Sequence, residues 1–253
     1  MIQRPSNPTV EQIREVCQPT TITGRTNSEH WVADAYLRRL SPYLTKILLK
    51  TPISANGVTF LMILSGLAIS GSLLIHGTFG LVLALFFSQL QMLWDCCDGE
   101  IARWRQSSSP KGVFLDRVGH YLTEGFIPVV FGWRLMPDGN YWYPFLGALV
   151  AIFVLLNKAF NDSVHVARAY AGLSKIEDSK TVGAANNLLL SFLRRAFDFF
   201  PVQRVFHSVE MTLVIVFFGS YSKILQVALG LSIFVTFGHL IMILNSSKLR
   251  AAK

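Results

Sequence analysis

Asp95-Cys96-Cys97-Asp98-Gly99-Glu100-Ile101-Ala102-Arg103 closes one long apolar segment, and Gly112-Val113-Phe114-Leu115-Asp116-Arg117-Val118-Gly119-His120 opens the next. An aspartate at the centre of a membrane helix costs about 2.5–3.5 kcal/mol on insertion scales, and less near an end. Three aspartates and a histidine at such a junction require a partner. Positions three and four apart share a helix face. Asp95, Asp98 and Ala102 therefore line one face of the first segment, and Asp116 and His120 one face of the second. Two helices meeting there would bring three carboxylates and an imidazole to one point. A divalent cation bound mainly by oxygen stabilises such a cluster, and Mg²⁺ favours carboxylates combined with phosphate oxygens. Gly99 and Gly112 would let a phosphate chain approach the backbone. The pattern thus indicates a metal–diphosphate site at a membrane surface. An ion-paired helix end using Arg103, Arg105 and Arg117 accounts for one or two carboxylates, but not for their convergence with two glycines.

At these residues the chain resembles the CDP-alcohol phosphotransferase (CDP-alcohol phosphatidyltransferase) family. Its pattern is D-x-x-D-G-x-x-A-R, a short spacer, then G-x-x-x-D-x-x-x-D. Asp95, Asp98, Gly99, Ala102, Arg103, Gly112 and Asp116 fill seven of the eight fixed positions, with eight residues between Arg103 and Gly112. The remaining position departs: His120 stands where the family has its last aspartate, usually assigned as catalytic base. The resemblance implies Asp95, Asp98 and Asp116 as ligands to a pair of Mg²⁺ or Mn²⁺ ions. It also implies that Asp98, Gly99, Ala102, Arg103 and Gly112 lie along the nucleotide. Asn56 and Thr59 are similar to the family's Asn-x-x-Thr element near the nucleotide, and are equally ordinary capping residues.

His120 has three readings. A neutral imidazole accepts a proton near physiological pH, which suits a general base on an acceptor hydroxyl. It could instead ligate metal, shifting preference from Mg²⁺ towards Mn²⁺ or a later ion, or be a packing residue in an inactive relative. Glu124, one turn further along, could orient His120, supply a carboxylate itself, or pair with a basic neighbour.

Composition places this site in its setting. With 51% hydrophobic and 15% charged residues among 253, the chain reads as one all-α polytopic membrane protein. Residues 1–28, with Pro5, Pro8 and Pro19, read as a poorly ordered polar cytoplasmic tail. Residues 29–50 read as an amphipathic juxtamembrane helix lying in the interface, its apolar side flanked by Arg38, Arg39, Lys46 and Lys50; a soluble-core helix is the alternative. Residues 51–253 then form a domain of six transmembrane helices, expected at 54–76, 79–103, 112–135, 141–170, 205–221 and 223–245. Each is near the length of about 20 residues that crosses the hydrocarbon, the fifth being the shortest. No cleavable signal peptide is expected. Three cysteines offer neither a disulfide framework nor a zinc pattern.

The net charge of +8 would suit nucleic acid, but its distribution argues otherwise. With a cytoplasmic N-terminus, 19 of the 23 Lys and Arg lie on the cytoplasmic side and only Arg134 and Lys223 outside. That is the positive-inside pattern, so no nucleic-acid partner is needed. It puts the motif on the cytoplasmic face, where nucleotide-activated donors are found.

The fourth span carries Asn157, Lys158, Asn161, Asp162, His165 and Arg168, a polar stripe ill suited to face lipid. Either Lys158 and Asp162 form a packing ion pair, or Lys158, Asp162, His165 and Arg168 line an acceptor pocket. A phosphorylated acceptor would suit Lys158 and Arg168. Arg194 and Arg195, in an interfacial segment at 188–204, would border that pocket, and His207 and Glu210 could line it.

The resemblance implies an integral membrane enzyme of phospholipid synthesis. It would transfer a substituted phosphoryl group from a CDP-linked donor to an alcohol, releasing CMP. The long basic cytoplasmic segments favour CDP-diacylglycerol as donor and a polar or phosphorylated alcohol as acceptor. The reverse arrangement passes a soluble phosphoalcohol to a lipid. Family members are often homodimers. The rivals are a catalytically inactive nucleotide-binding relative and an ion-coupled transporter; the latter should show half-helices or duplicated hydropathy, and no convincing repeat is present.

Overall fold

The computed structural model describes residues 4–19, 32–136, 139–173, 202–221, 223–246 and 249. Regular structure among them is entirely helical, as expected for an all-α polytopic chain. After α1 (Val10–Cys17), a π-helical turn (Ala33–Leu37) runs into α2 (Arg38–Leu49). The long helices α3 (Ala55–Leu73), α4 (Thr78–Arg105), α5 (Pro110–Leu135) and α6 (Trp142–Tyr170) follow. A 3₁₀ turn (Val202–Phe206), α7 (Ser208–Phe218) and α8 (Ile224–Leu244) close the described chain.

Helices occupy all six expected spans, and α3, α4, α6 and α8 are long and apolar enough to cross a membrane. α5 is long enough at 26 residues, but charges such as Asp116, Arg117 and Glu124 lower its hydropathy. α7 is shorter than expected. Its 11 residues rise about 16 Å, half of the roughly 30 Å hydrocarbon core.

The segment expected as a poorly ordered tail contains α1. Thr9 and Gln12 form a capping box, which satisfies backbone donors that would otherwise favour an open chain. Ile13 and Cys17, four apart, are fully buried against Trp104. A polar composition concealed this two-residue apolar face. α2 is two-sided as expected. Its small face, with Ser41 and Thr45 buried, packs on α4. Tyr36, Leu40, Tyr43 and Ile47 form an exposed apolar stripe at helical spacing, which suits an interfacial position.

α3 packs between α4 and α5, α5 along α6, α6 along α8, and α7 against α4 and α5. Small residues set these approaches. A Cβ on Gly66 of α3 would lie 2.0 Å from Thr123 Oγ1 of α5, and one on Gly147 of α6 would lie 2.2 Å from the Pro128 carbonyl oxygen. Ser54 and Ser109 cap α3 and α5, accepting from Gly57 N and Gly112 N at 3.1 Å. Gln106, in the left-handed region at φ 55°, ends α4. The start of α5 is thereby turned back beside the end of α4.

Candidate functional site

The last turns of α4 carry Asp95 and Asp98, and the first turns of α5 carry Asp116 and His120. Asp95, Asp116 and His120 each offer a ligand atom, all within 4.8 Å of one another. His120 Nε2 lies 3.0 Å from Asp95 Oδ1 and 3.5 Å from Asp116 Oδ1. Asp98, expected to converge with them, is not within that 4.8 Å grouping. Its Oδ2 accepts from Thr59 Oγ1 at 2.6 Å, so a hydroxyl on α3 fixes the direction of this carboxylate.

A second layer backs the imidazole. His120 Nδ1 is 3.4 Å from Glu124 Oε1, and Glu124 is 1% exposed. Lys158 Nζ on α6 reaches Glu124 Oε2 at 2.9 Å, and His207 Nδ1, preceding α7, reaches Oε1 at 3.3 Å. A carboxylate enclosed to this degree keeps its charge only with such partners. Of the readings open for Glu124, pairing with a basic neighbour is seen, with Lys158.

The polar stripe of α6 is divided differently from the expected packing ion pair. Lys158 does not pair with Asp162. Asp162 instead forms an ion pair with Arg117 and accepts from Tyr121 Oη at 3.2 Å. Because α5 lies alongside α6, charges four apart on one helix find stronger partners across the interface than along it. His165 does not join the Asp95–Asp116–His120 group. Arg194 and Arg195 lie outside the described residues. His207 meets the site through Glu124. Glu210 is buried and accepts from Val32 N at 3.4 Å, so it ties α7 to the N-terminal segment.

Among the residues expected along the nucleotide, two close approaches involve glycines. A Cβ on Gly112 would lie 3.0 Å from Asn56 Oδ1, and one on Gly99 would lie 3.0 Å from Arg103 Nη1. Ser54, not Asn56, caps α3. Arg103 folds back over Gly99, and its Nε donates to the Cys17 carbonyl at 2.7 Å. Ala102, like Gly99, is half-buried on this end of α4.

The reading of the motif passed over Glu100. It is fully buried and accepts from Ser41 Oγ at 2.5 Å, Thr45 Oγ1 at 2.6 Å and Gln18 Nε2 at 2.7 Å. The available signal was Ser41 and Thr45, four apart on an otherwise basic and apolar helix. Tyr121 was also missed. A groove of about 480 Å³ along α5 is walled by Val113, Phe114, Val118 and Leu122, with Arg117, Tyr121 and Asp162 at its polar side.

A family model described as CDP-alcohol phosphatidyltransferase matches residues 52–237. No curated protein matches the chain.

Proposed function

The chain belongs to the CDP-alcohol phosphatidyltransferase family, and from that premise we propose that it moves a phosphatidyl group from CDP-diacylglycerol to a polar alcohol at the cytoplasmic face. Membership itself makes it a membrane phosphotransferase of phospholipid synthesis, of the EC 2.7.8 type. The observation that carries the finer reading is the meeting of Asp95, Asp116 and His120 from two helices within 4.8 Å.

Two carboxylates at that separation fit a divalent cation of the Mg²⁺ or Mn²⁺ kind. Such an ion, when bound, offsets charge on the diphosphate and on departing CMP. Asp95 and Asp116 would hold it, and Asp98, steadied by Thr59, would add its carboxylate. Nδ1 of His120 faces Glu124, and Nε2, which faces Asp95 and Asp116 in this structure, would take the proton from the acceptor hydroxyl once those carboxylates turn to the ion. The acceptor oxygen then bonds to the β-phosphorus while the bond from that phosphorus to the bridging oxygen breaks. CMP departs and a phosphodiester remains. Glu124 acts as a positioning residue, held in turn by Lys158 and His207. With Lys158 committed to Glu124, the case for a phosphorylated acceptor rests on Arg168, Arg194 and Arg195.

The test is release of CMP from CDP-diacylglycerol by the purified protein, with Mg²⁺ or Mn²⁺ and a panel of alcohols. Metal-dependent release with one acceptor supports the reading. No release with any acceptor or metal, while CDP still binds, would assign the chain to the inactive relatives.

A further inference from the structure

We propose that α1, which lies outside the matched family region, is part of the donor site: its C-terminal carbonyl holds the Arg103 guanidinium ready for the nucleotide diphosphate, so that docking of α1 and binding of CDP are coupled. The inference rests on the donor reading above.

α1 and its flanks attach repeatedly to one turn of α4, residues 100–104. Ile13 and Cys17 are fully buried against Trp104. Arg4 Nη1 donates to the Trp104 carbonyl at 3.2 Å, Cys17 Sγ to the Glu100 carbonyl at 3.3 Å, and Gln18 Nε2 to the Glu100 carboxylate at 2.7 Å. Arg103, in the middle of that turn, gives its Nε proton to Cys17 O at 2.7 Å.

The carbonyls that end a helix lack intrahelical partners and carry partial negative charge, so a guanidinium is their natural complement. Engaging Nε leaves Nη1 and Nη2 over Gly99, 3.0 and 3.2 Å from where a Cβ would sit. Any side chain at position 99 would displace them. A long arginine held this way has already lost its rotamer freedom, a cost otherwise met when ligand binds. The buried Glu100 fixes the same turn from the side of α2, through Ser41 and Thr45. The segment before residue 52 thus orders an arginine inside the matched region.

Coupling between two binding events is reciprocal: if docked α1 favours CDP, CDP favours docked α1 by the same factor. Cys17 reports docking directly. Its thiol is enclosed, and burial, with Glu100 adding to it, pushes the group up to about 11. Alkylation at pH 8 therefore proceeds through the undocked state.

The full-length protein in detergent is treated with N-ethylmaleimide at pH 8, with and without saturating CDP and Mg²⁺. Cys17, Cys96 and Cys97 are followed separately by peptide mass mapping. We expect CDP to slow Cys17 labelling about tenfold. A rate unchanged by bound CDP overturns the proposal. Failure of CDP to bind wild type overturns the donor reading and this inference with it. A second arm uses Ile13→Asp, which should undock α1 and weaken CDP binding about tenfold. In an Arg103→Lys background the same substitution should weaken it no further. Equal weakening in both backgrounds would mean that α1 acts through general stability and not through Arg103, which also overturns the proposal. Should Ile13→Asp fail to fold, the wild-type labelling decides alone.

Discussion

Replacing Lys158 by methionine tests whether Glu124 is the charged hub of the site. Methionine keeps the length of the side chain and removes the ammonium 2.9 Å from Glu124 Oε2. Removing one partner of a buried ion pair costs about 3–5 kcal/mol, because the remaining charge is left uncompensated. Glu124 is 1% exposed, which argues for the full penalty, but Lys158 is 20% exposed and His207 and His120 still face the carboxylate. The lower end, about 3 kcal/mol, is therefore expected. For a chain of this size that corresponds to about 6–12 °C in Tm. Glu124→Gln should cost less, because a partly exposed lysine can turn its ammonium towards water. The double variant Lys158→Met/Glu124→Gln buries no charge in this pair and should be more stable than Lys158→Met alone. Thermal unfolding of the four proteins in one detergent, followed by helical circular dichroism, measures the cycle. A loss under about 2 °C in Lys158→Met, or strictly additive losses in the double variant, would refute the ion-pair account.

His120→Ala should lower turnover in the CMP-release assay by about 10²–10⁴-fold, the range for a general base, with His120→Asp retaining part of it; unchanged turnover would remove His120 from proton transfer and promote Glu124. Thr59→Val removes the hydroxyl 2.6 Å from Asp98 Oδ2, and loss of such an orienting partner should weaken Mn²⁺ binding about 10–100-fold, read by electron paramagnetic resonance. Undiminished affinity would show that Asp98 needs no such support. Gly147→Ala should lower Tm, since its Cβ would fall 2.2 Å from the Pro128 carbonyl oxygen, where only separation of α5 and α6 gives relief. Gly71→Ala, with nothing within 4 Å of the new atom, should leave stability unchanged or raise it by up to about 1 kcal/mol through helix propensity. Equal Tm changes in the two would contradict the packing described.

Much of the fold is local in origin, and so was legible. Hydropathy and helical period depend on residues a turn apart, which is why helices occur at all six expected spans and why Asp116 and His120 share a face of α5. Capping chemistry at Ser54 and Ser109 is equally local. The α1 helix carries one local signal, the Thr9–Gln12 capping box, but its apolar anchor, Trp104, is remote in sequence.

By itself the sequence determined that acidic residues on two consecutive helices could meet at one end of the bundle, and that a histidine would stand among them. It left undecided which charge answers which. That Lys158 reaches Glu124 while Asp162 reaches Arg117 depends on the rotation and axial offset of α6 against α5. Those are set by close contacts such as Gly147 on Pro128. A helix presents charges at fixed angles around its own axis, but only packing selects the neighbour each angle faces.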